Sequence, residues 1–216
     1  EPINLKLENI DQIQKQGGTI LGSSRGNQDP ADMVDQLVSR GINVLFCIGG
    51  DGTLKGANAI AEEIKKRRLL ISVVGIPKTI DNDLSFVEKT FGFETSVQIA
   101  SDIITSAHTE AICAENGIGI VKLMGRDSGF ISASATLANS VVDFCLVPET
   151  HFHLEGKDGL FKALEKRLKE RQYSVIVVAE GAGQHLFTKA PDRKDISGNL
   201  IKKDIGLFLK QQIEEY

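Results

Sequence analysis

The sequence predicts an α/β fold, a doubly wound, mostly parallel sheet flanked by helices, and two observations predict it. Short β-branched runs recur at Ile42 to Ile48, Leu70 to Ile76, Ile118 to Leu123, Val141 to Val147 and Tyr173 to Ala179. Each is followed by a loop or a helical pattern, the alternation expected of parallel strands buried beneath helices on both faces. A length of 216 residues with 41% apolar content supports one sizeable core, since a domain of this size buries roughly 70% of its unfolded surface.

Taken in order, the helices fall between these runs. Leu54 to Arg68 is rich in Ala, Glu and Lys. Thr95 to Ile112 repeats Val97, Ala100, Ile103, Ile104, Ala107 and Ala111 at helical spacing. Phe130 to Ser140 is a helix of small residues. Leu160, Leu164 and Leu168 stripe another among Lys and Glu, and Ile201, Ile205 and Leu209 stripe the last; both read as amphipathic helices with solvated charge runs. Gly181 to Asn199 is the one long loop candidate. In such a fold ligands bind in loops at the carboxyl ends of the strands.

Composition narrows the partners. A net charge of -4, spread along the chain, provides no basic field of the kind that holds nucleic acid. No apolar run approaches the roughly 20 residues that span a bilayer, and the start lacks the order of a signal peptide. Cys47, Cys113 and Cys145 form no CxxC pair and sit in apolar stretches, so they read as buried thiols of a reducing, cytoplasmic compartment, with disulfides the lesser reading and an organellar location left open. The sequence opens on Glu1-Pro2, and the expectation is that upstream residues are missing.

Three loops carry chemistry. Gly49-Gly50-Asp51-Gly52-Thr53 ends a strand and opens a helix, so its backbone N–H groups can converge on a phosphate. Asp51 offers a carboxylate for Mg²⁺, and Thr53 can cap the helix or touch a phosphate. A glycine turn with an Asp-Gly cap is the competing reading, and GGDGT also resembles motifs of NAD kinases and diacylglycerol kinases.

Pro77-Lys78-Thr79-Ile80-Asp81-Asn82-Asp83 places two carboxylates, a hydroxyl and a cation at the next strand end. Phosphoryl transfer to an alcohol needs a base, a metal carboxylate and donors for the migrating group; a polar turn is the alternative. Met124-Gly125-Arg126-Asp127-Ser128-Gly129 follows the third strand. An Arg at a helix N-terminus is a natural anion clamp, or else a surface ion-pair partner.

In the order GGDGT, PKTIDND, MGRDSG, the three loops resemble the 6-phosphofructokinase family. The similarity extends through Gly18 to Gly26, Asn116 to Met124, Leu154 to Gly156 and Ala179 to Gln184, and the wording is nearest to plant and protist ATP-dependent members. The resemblance implies phosphofructokinase-like Rossmann-type layers and transfer of the ATP γ-phosphoryl to the 1-hydroxyl of fructose 6-phosphate, a glycolytic step. It implies that Asp81 is the base and that Thr79 touches the moving phosphoryl, with Asp83 and Arg126 completing the catalytic set. Asp51 and Asp83 would serve Mg²⁺. Arg25, Gly50, Asp51, Gly52 and Thr53 would hold ATP; Thr79, Asp81, Met124, Gly125, Arg126 and Glu180 would surround the sugar phosphate.

Pyrophosphate-dependent members carry Asp where this chain has Gly52, and that carboxylate would repel the α-phosphate of ATP. Gly52 favours ATP, although Lys78 is shared with the pyrophosphate enzymes. The alternatives are therefore a pyrophosphate-dependent phosphotransferase and a catalytically idle regulatory homologue. The family's opening glycine-rich strand and its later Arg and His phosphate contacts have no counterpart here, and Gly117 replaces an Arg of the bacterial enzymes. The resemblance thus implies a fragment: a nucleotide-binding and catalytic core at 1–150 and the start of a sugar-phosphate domain at 151–216. It is expected to be nearly inactive alone and homo-oligomeric and allosterically regulated when intact. His151 and His153 could be two metal ligands or parts of a solvated loop; His108 reads as a helix residue, and His185 has no assigned role.

Overall fold

Every ladder between named strands runs parallel among the described residues. The computed structural model describes residues 3–23, 28–188, 193–194 and 200–216. A short helix α1 (Leu7–Ile10) and a 3-10 turn (Ile13–Lys15) precede α2 (Pro30–Ser39), β1 (Val44–Gly49), α3 (Asp51–Lys66), β2 (Ser72–Thr79), β3 (Phe91–Gly92) and α4 (Phe93–Ile112). Then come β4 (Gly117–Leu123), α5 (Phe130–Ala138), β5 (Phe144–Leu146), α6 (Leu160–Arg171), β6 (Tyr173–Ala179), a second 3-10 turn (Gln184–Leu186) and α7 (Ile205–Glu215).

Among the described residues the strands group into two three-stranded sheets, ordered β1-β2-β3 and β4-β6-β5. In the second, β6 is buried on both faces. Val175 and Val177 pack with Ile104 of α4 and Ile131 and Ala135 of α5. Ile176 and Val178 point the other way, into Leu160 and Leu164 of α6 and Ile205 and Leu209 of α7. A run of five apolar residues from Val175 to Ala179 is the pattern such a central strand requires. The first sheet is covered on one face, where Leu45 and Val73 meet Val34 and Leu37 of α2 and Ile60 and Ile64 of α3. Its opposite face presents Val44, Phe46 and Ile48 of β1, all more than a third exposed.

Several boundaries differ from the sequence reading, each for a local reason. Strand β2 continues through Pro77, Lys78 and Thr79, because β1 pairs with it up to Gly49↔Pro77 and β3 takes over at Lys78↔Phe91 and Thr79↔Gly92. Asp51, Gly52 and Thr53 already belong to the first turn of α3. Ile201 lies outside α7, since the Asp204 carboxylate accepts from Gly206 and Leu207 N–H and starts the helix there. Helix α2, absent from the sequence reading, begins with Asp29 accepting from Ala31 N–H and Pro30 at the first helical position. None of the cysteines is fully buried, and Cys113 is exposed because it caps the end of α4; all three are free thiols. Burial raises the Cys47 and Cys145 thiols above their usual range. Among the described residues no helix is long and apolar enough to cross a membrane.

Candidate active site

Parallel register brings the first two loops side by side. Because Gly49 pairs with Pro77, the glycine turn after β1 and the acidic turn after β2 leave their sheet at one edge. Gly50 caps α3 in extended backbone, and a Cβ built there would meet the Thr79 side chain at 3.7 Å. Gly49 has no such room: any Cβ would collide with the Thr53 side chain, which folds back over it. Gly52, by contrast, faces open space, with nothing within 4 Å of its would-be Cβ.

The acidic turn is held from inside. Asn82 takes left-handed backbone at φ 53°, a conformation Asn tolerates better than most residues. Its side-chain oxygen accepts from Thr90 N–H at 2.8 Å and its amide donates to the Glu88 carbonyl at 3.2 Å. The buried Thr90 hydroxyl in turn donates to the Thr79 carbonyl at 2.7 Å. Thr79 Oγ1 accepts from Asp81 N–H at 3.3 Å. The strap Asn82 to Thr90 thus fixes the backbone that carries Asp81.

The third loop docks on the same turn. Ser128 Oγ donates to the Asp81 carbonyl at 3.1 Å. Gly125 adopts φ +134°, where a Cβ would strike the Ser128 carbonyl oxygen, so only glycine closes this turn. Gly129 N–H donates to Glu149 Oε1 at 2.7 Å, anchoring the start of α5 to the segment after β5. The end of β6 joins through Glu180 N–H to the Leu123 carbonyl at 2.9 Å and Gly181 N–H to the Gly125 carbonyl at 3.1 Å. Asp127 leaves this centre and pairs with Lys202 at 2.7 Å.

Asp81 sits where these loops meet. Burial raises its carboxyl above the ordinary carboxylate range, and the Asp83 and Glu180 carboxylates raise it further. Arg126 and a hydrogen bond from Thr79 pull the other way. A half-buried carboxylate so perturbed is a stronger base than a solvated one.

The structure therefore brings together Gly50, Thr79, Asp81, Asp83, Gly125, Arg126 and Glu180. It does not gather every residue singled out in the sequence. The Asp51 carboxylate is exposed and accepts from Lys55 Nζ at 2.7 Å, one turn along α3. Met124 is 59% exposed. Arg25 lies outside the described residues. Asn82, Thr90, Ser128 and Glu149 went unassigned in the sequence. Asn82 and Ser128 carried a signal, as polar residues inside the two motifs, whereas Glu149 becomes visible only when the end of β5 is set beside α5.

His151 meets His185, and His108 packs its ring edge-on against Tyr173.

Comparison with known proteins agrees in family. The phosphofructokinase family model matches residues 1–216. The chain is 54% identical to an ATP-dependent 6-phosphofructokinase of Borreliella burgdorferi, covering 99% of this chain and 49% of that protein. It is also 54% identical to ATP-dependent 6-phosphofructokinase 7 of Arabidopsis thaliana, covering 100% of this chain and 44% of the relative. The chain thus spans about half the length of these curated relatives. The T-state phosphofructokinase of Pichia pastoris superposes with a TM-score of 0.74 at 24% identity, over 98% of this chain and 22% of that one.

Proposed function

The chain belongs to the phosphofructokinase family, and on that premise we propose that it is the catalytic core of an ATP-dependent 6-phosphofructokinase. The reaction moves the γ-phosphoryl of ATP to the 1-hydroxyl of fructose 6-phosphate, giving fructose 1,6-bisphosphate and ADP. One observation carries the reading: Asp81, its carboxyl raised by burial and by two neighbouring carboxylates, lies where the three loops meet.

Asp81 takes the proton of the attacking hydroxyl, and Thr79, beside it, donates to the phosphoryl in transit. Arg126 balances the developing negative charge. Glu180, joined to the same loop through its backbone, accepts from sugar hydroxyls, while Met124 and Gly125 border the sugar phosphate. Gly50, Gly52 and Thr53 at the N-terminus of α3 supply backbone donors for the ATP phosphates, with Arg25 bracing them. The open space at Gly52 supports ATP over pyrophosphate as donor.

Magnesium fits this donor set. Asp83 and Asp81 repel one another, and Mg²⁺ is commonly held by one or two carboxylates with substrate phosphates and water completing its shell. Asp83 would hold it, joined by Asp51 were that carboxylate to leave Lys55; the ion would supply charge neutralisation to the donor phosphates. The intact enzyme is a homo-oligomer in this reading, working where its soluble substrates are.

The test is a coupled assay on the full-length protein carrying this chain, with ATP and with pyrophosphate, beside Asp81→Ala. Turnover with ATP that falls at least a hundredfold in the variant supports the reading. Preference for pyrophosphate, or binding of both substrates without turnover, rejects it.

A further inference from the structure

His151, in the segment after β5, and His185, in the 3-10 turn after β6, approach from positions 34 residues apart. Their Nδ1 atoms lie 3.2 Å from one another, with ring centroids 4.6 Å apart and planes at 77°. The other nitrogen of His185, Nε2, stands 3.0 Å from the Phe152 carbonyl oxygen. A carbonyl only accepts, so a neutral His185 carries its proton on Nε2 and aims a bare Nδ1 lone pair at His151. In the neutral pair His151 then donates from Nδ1.

This is the preparation a metal-binding imidazole receives. Ligating histidines almost always donate the remote N–H to a carbonyl or carboxylate, which fixes tautomer and ring direction. Two nitrogens bound at about 2.0–2.1 Å to one tetrahedral ion stand about 3.3 Å apart, close to the 3.2 Å seen here. Both rings are exposed, so an ion can enter from solvent.

We propose that His151 and His185 form a two-histidine chelate for a transition-metal cation of the Zn²⁺, Ni²⁺ and Cu²⁺ class, with water in the remaining positions. On binding, the His151 proton moves from Nδ1 to Nε2, and no net proton leaves. The ion staples the segment after β5 to the turn whose Gln184 amide donates to the Glu180 carbonyl at 3.0 Å. Imidazole ligands distinguish this site from the carboxylates near Asp81, which suit hard cations. It does not depend on the kinase reading.

The experiment is calorimetric titration of the purified chain with Mn²⁺, Ni²⁺, Cu²⁺, Zn²⁺ and Mg²⁺ salts, with Cu²⁺ electron paramagnetic resonance as the direct count of nitrogen ligands. The wild-type chain should show one site that strengthens from Mn²⁺ through Ni²⁺ to Cu²⁺, weakens at Zn²⁺, and is indifferent to Mg²⁺. His151→Gln and His185→Gln should each weaken that site at least tenfold and remove one nitrogen from the copper spectrum. His153→Ala should leave it unchanged, and metal-free melting curves should be the same for all. No site tighter than millimolar in the wild type, or equal binding by either Gln variant, overturns the proposal.

Discussion

The Ser128 hydroxyl donates to the Asp81 backbone carbonyl across 47 residues of sequence. Ser128 is itself buried, so the bond is sheltered, and it ties the third loop directly to the turn carrying the proposed base. A neutral hydrogen bond of this kind is worth about 1 kcal/mol net. Ser128→Ala should lower Tm by about 2–4 °C. Because a small displacement of a catalytic group is costly, kcat should fall about tenfold while KM for fructose 6-phosphate moves less. Steady-state kinetics and melting of the same preparation check this; a lower Tm with unchanged kcat would restrict Ser128 to stability.

Asp81→Asn separates function from stability. The folded protein holds this carboxyl above its ordinary range, so it binds a proton more tightly than the unfolded chain does. The stability it contributes is present at low pH and is lost as pH rises through the raised folded value. At neutral pH the ionised, half-buried carboxylate is a net cost that Asn removes. The variant should therefore melt higher than wild type at pH 7, with the gap closing toward acid pH, while losing about 10²-fold or more in turnover. Equal melting across the pH range would show that Asp81 is not strained by its surroundings.

Two glycines should answer substitution in opposite ways. Gly125→Ala forces a Cβ onto the Ser128 carbonyl at φ +134° and should cost about 1–3 kcal/mol, read as a shifted denaturation midpoint. Gly52→Asp meets no atom within 4 Å and places an acid at a helix N-terminus, where it is tolerated. Stability should hold, while KM for ATP rises at least tenfold by repulsion of the donor phosphates. A Gly52→Asp protein with unaltered ATP kinetics would remove the basis for reading the donor from that position.

The motif loops and the strands that carry them were legible because each is a contiguous run whose chemistry and periodicity are local. What joins them was not. The nearness of Gly50 to Thr79 follows from the parallel register of β1 and β2, and Glu149 anchoring Gly129 follows from where β5 ends. Neither register nor strand ends are written within a single segment. Strand β3 is two residues long, too short for any alternation to show. Helix α2 is a different case, because Asp29 before Pro30 is a plain start signal that lies outside the apolar runs marking the strands. At α7 the stripe beginning at Ile201 ran too far upstream, since an apolar spacing continues past the residue that can cap the helix. His151 meets His185 across 34 residues, a pairing that no spacing within one segment could announce.

Asp204 sets the start of α7 and makes a second contact, to Lys122 of the edge strand β4 at 2.8 Å. Its carboxyl is held below the usual range first by the Lys122 hydrogen bond and then by the Leu207 and Gly206 N–H groups, against some desolvation. The depressed value means that its stability is present above the unfolded value and is lost as pH falls through the folded one, so the loss belongs to strongly acid conditions. The ion pair is about two-fifths exposed on each side, and such pairs contribute little once solvent screens them. Capping should dominate. Asp204→Ala should cost about 1 kcal/mol, whereas Asp204→Asn, which retains the cap and gives up the charge, should cost only a few tenths. Chemical denaturation at pH 7 distinguishes the two; an Asn variant as weak as the Ala variant would assign the effect to Lys122 and detach it from the helix start.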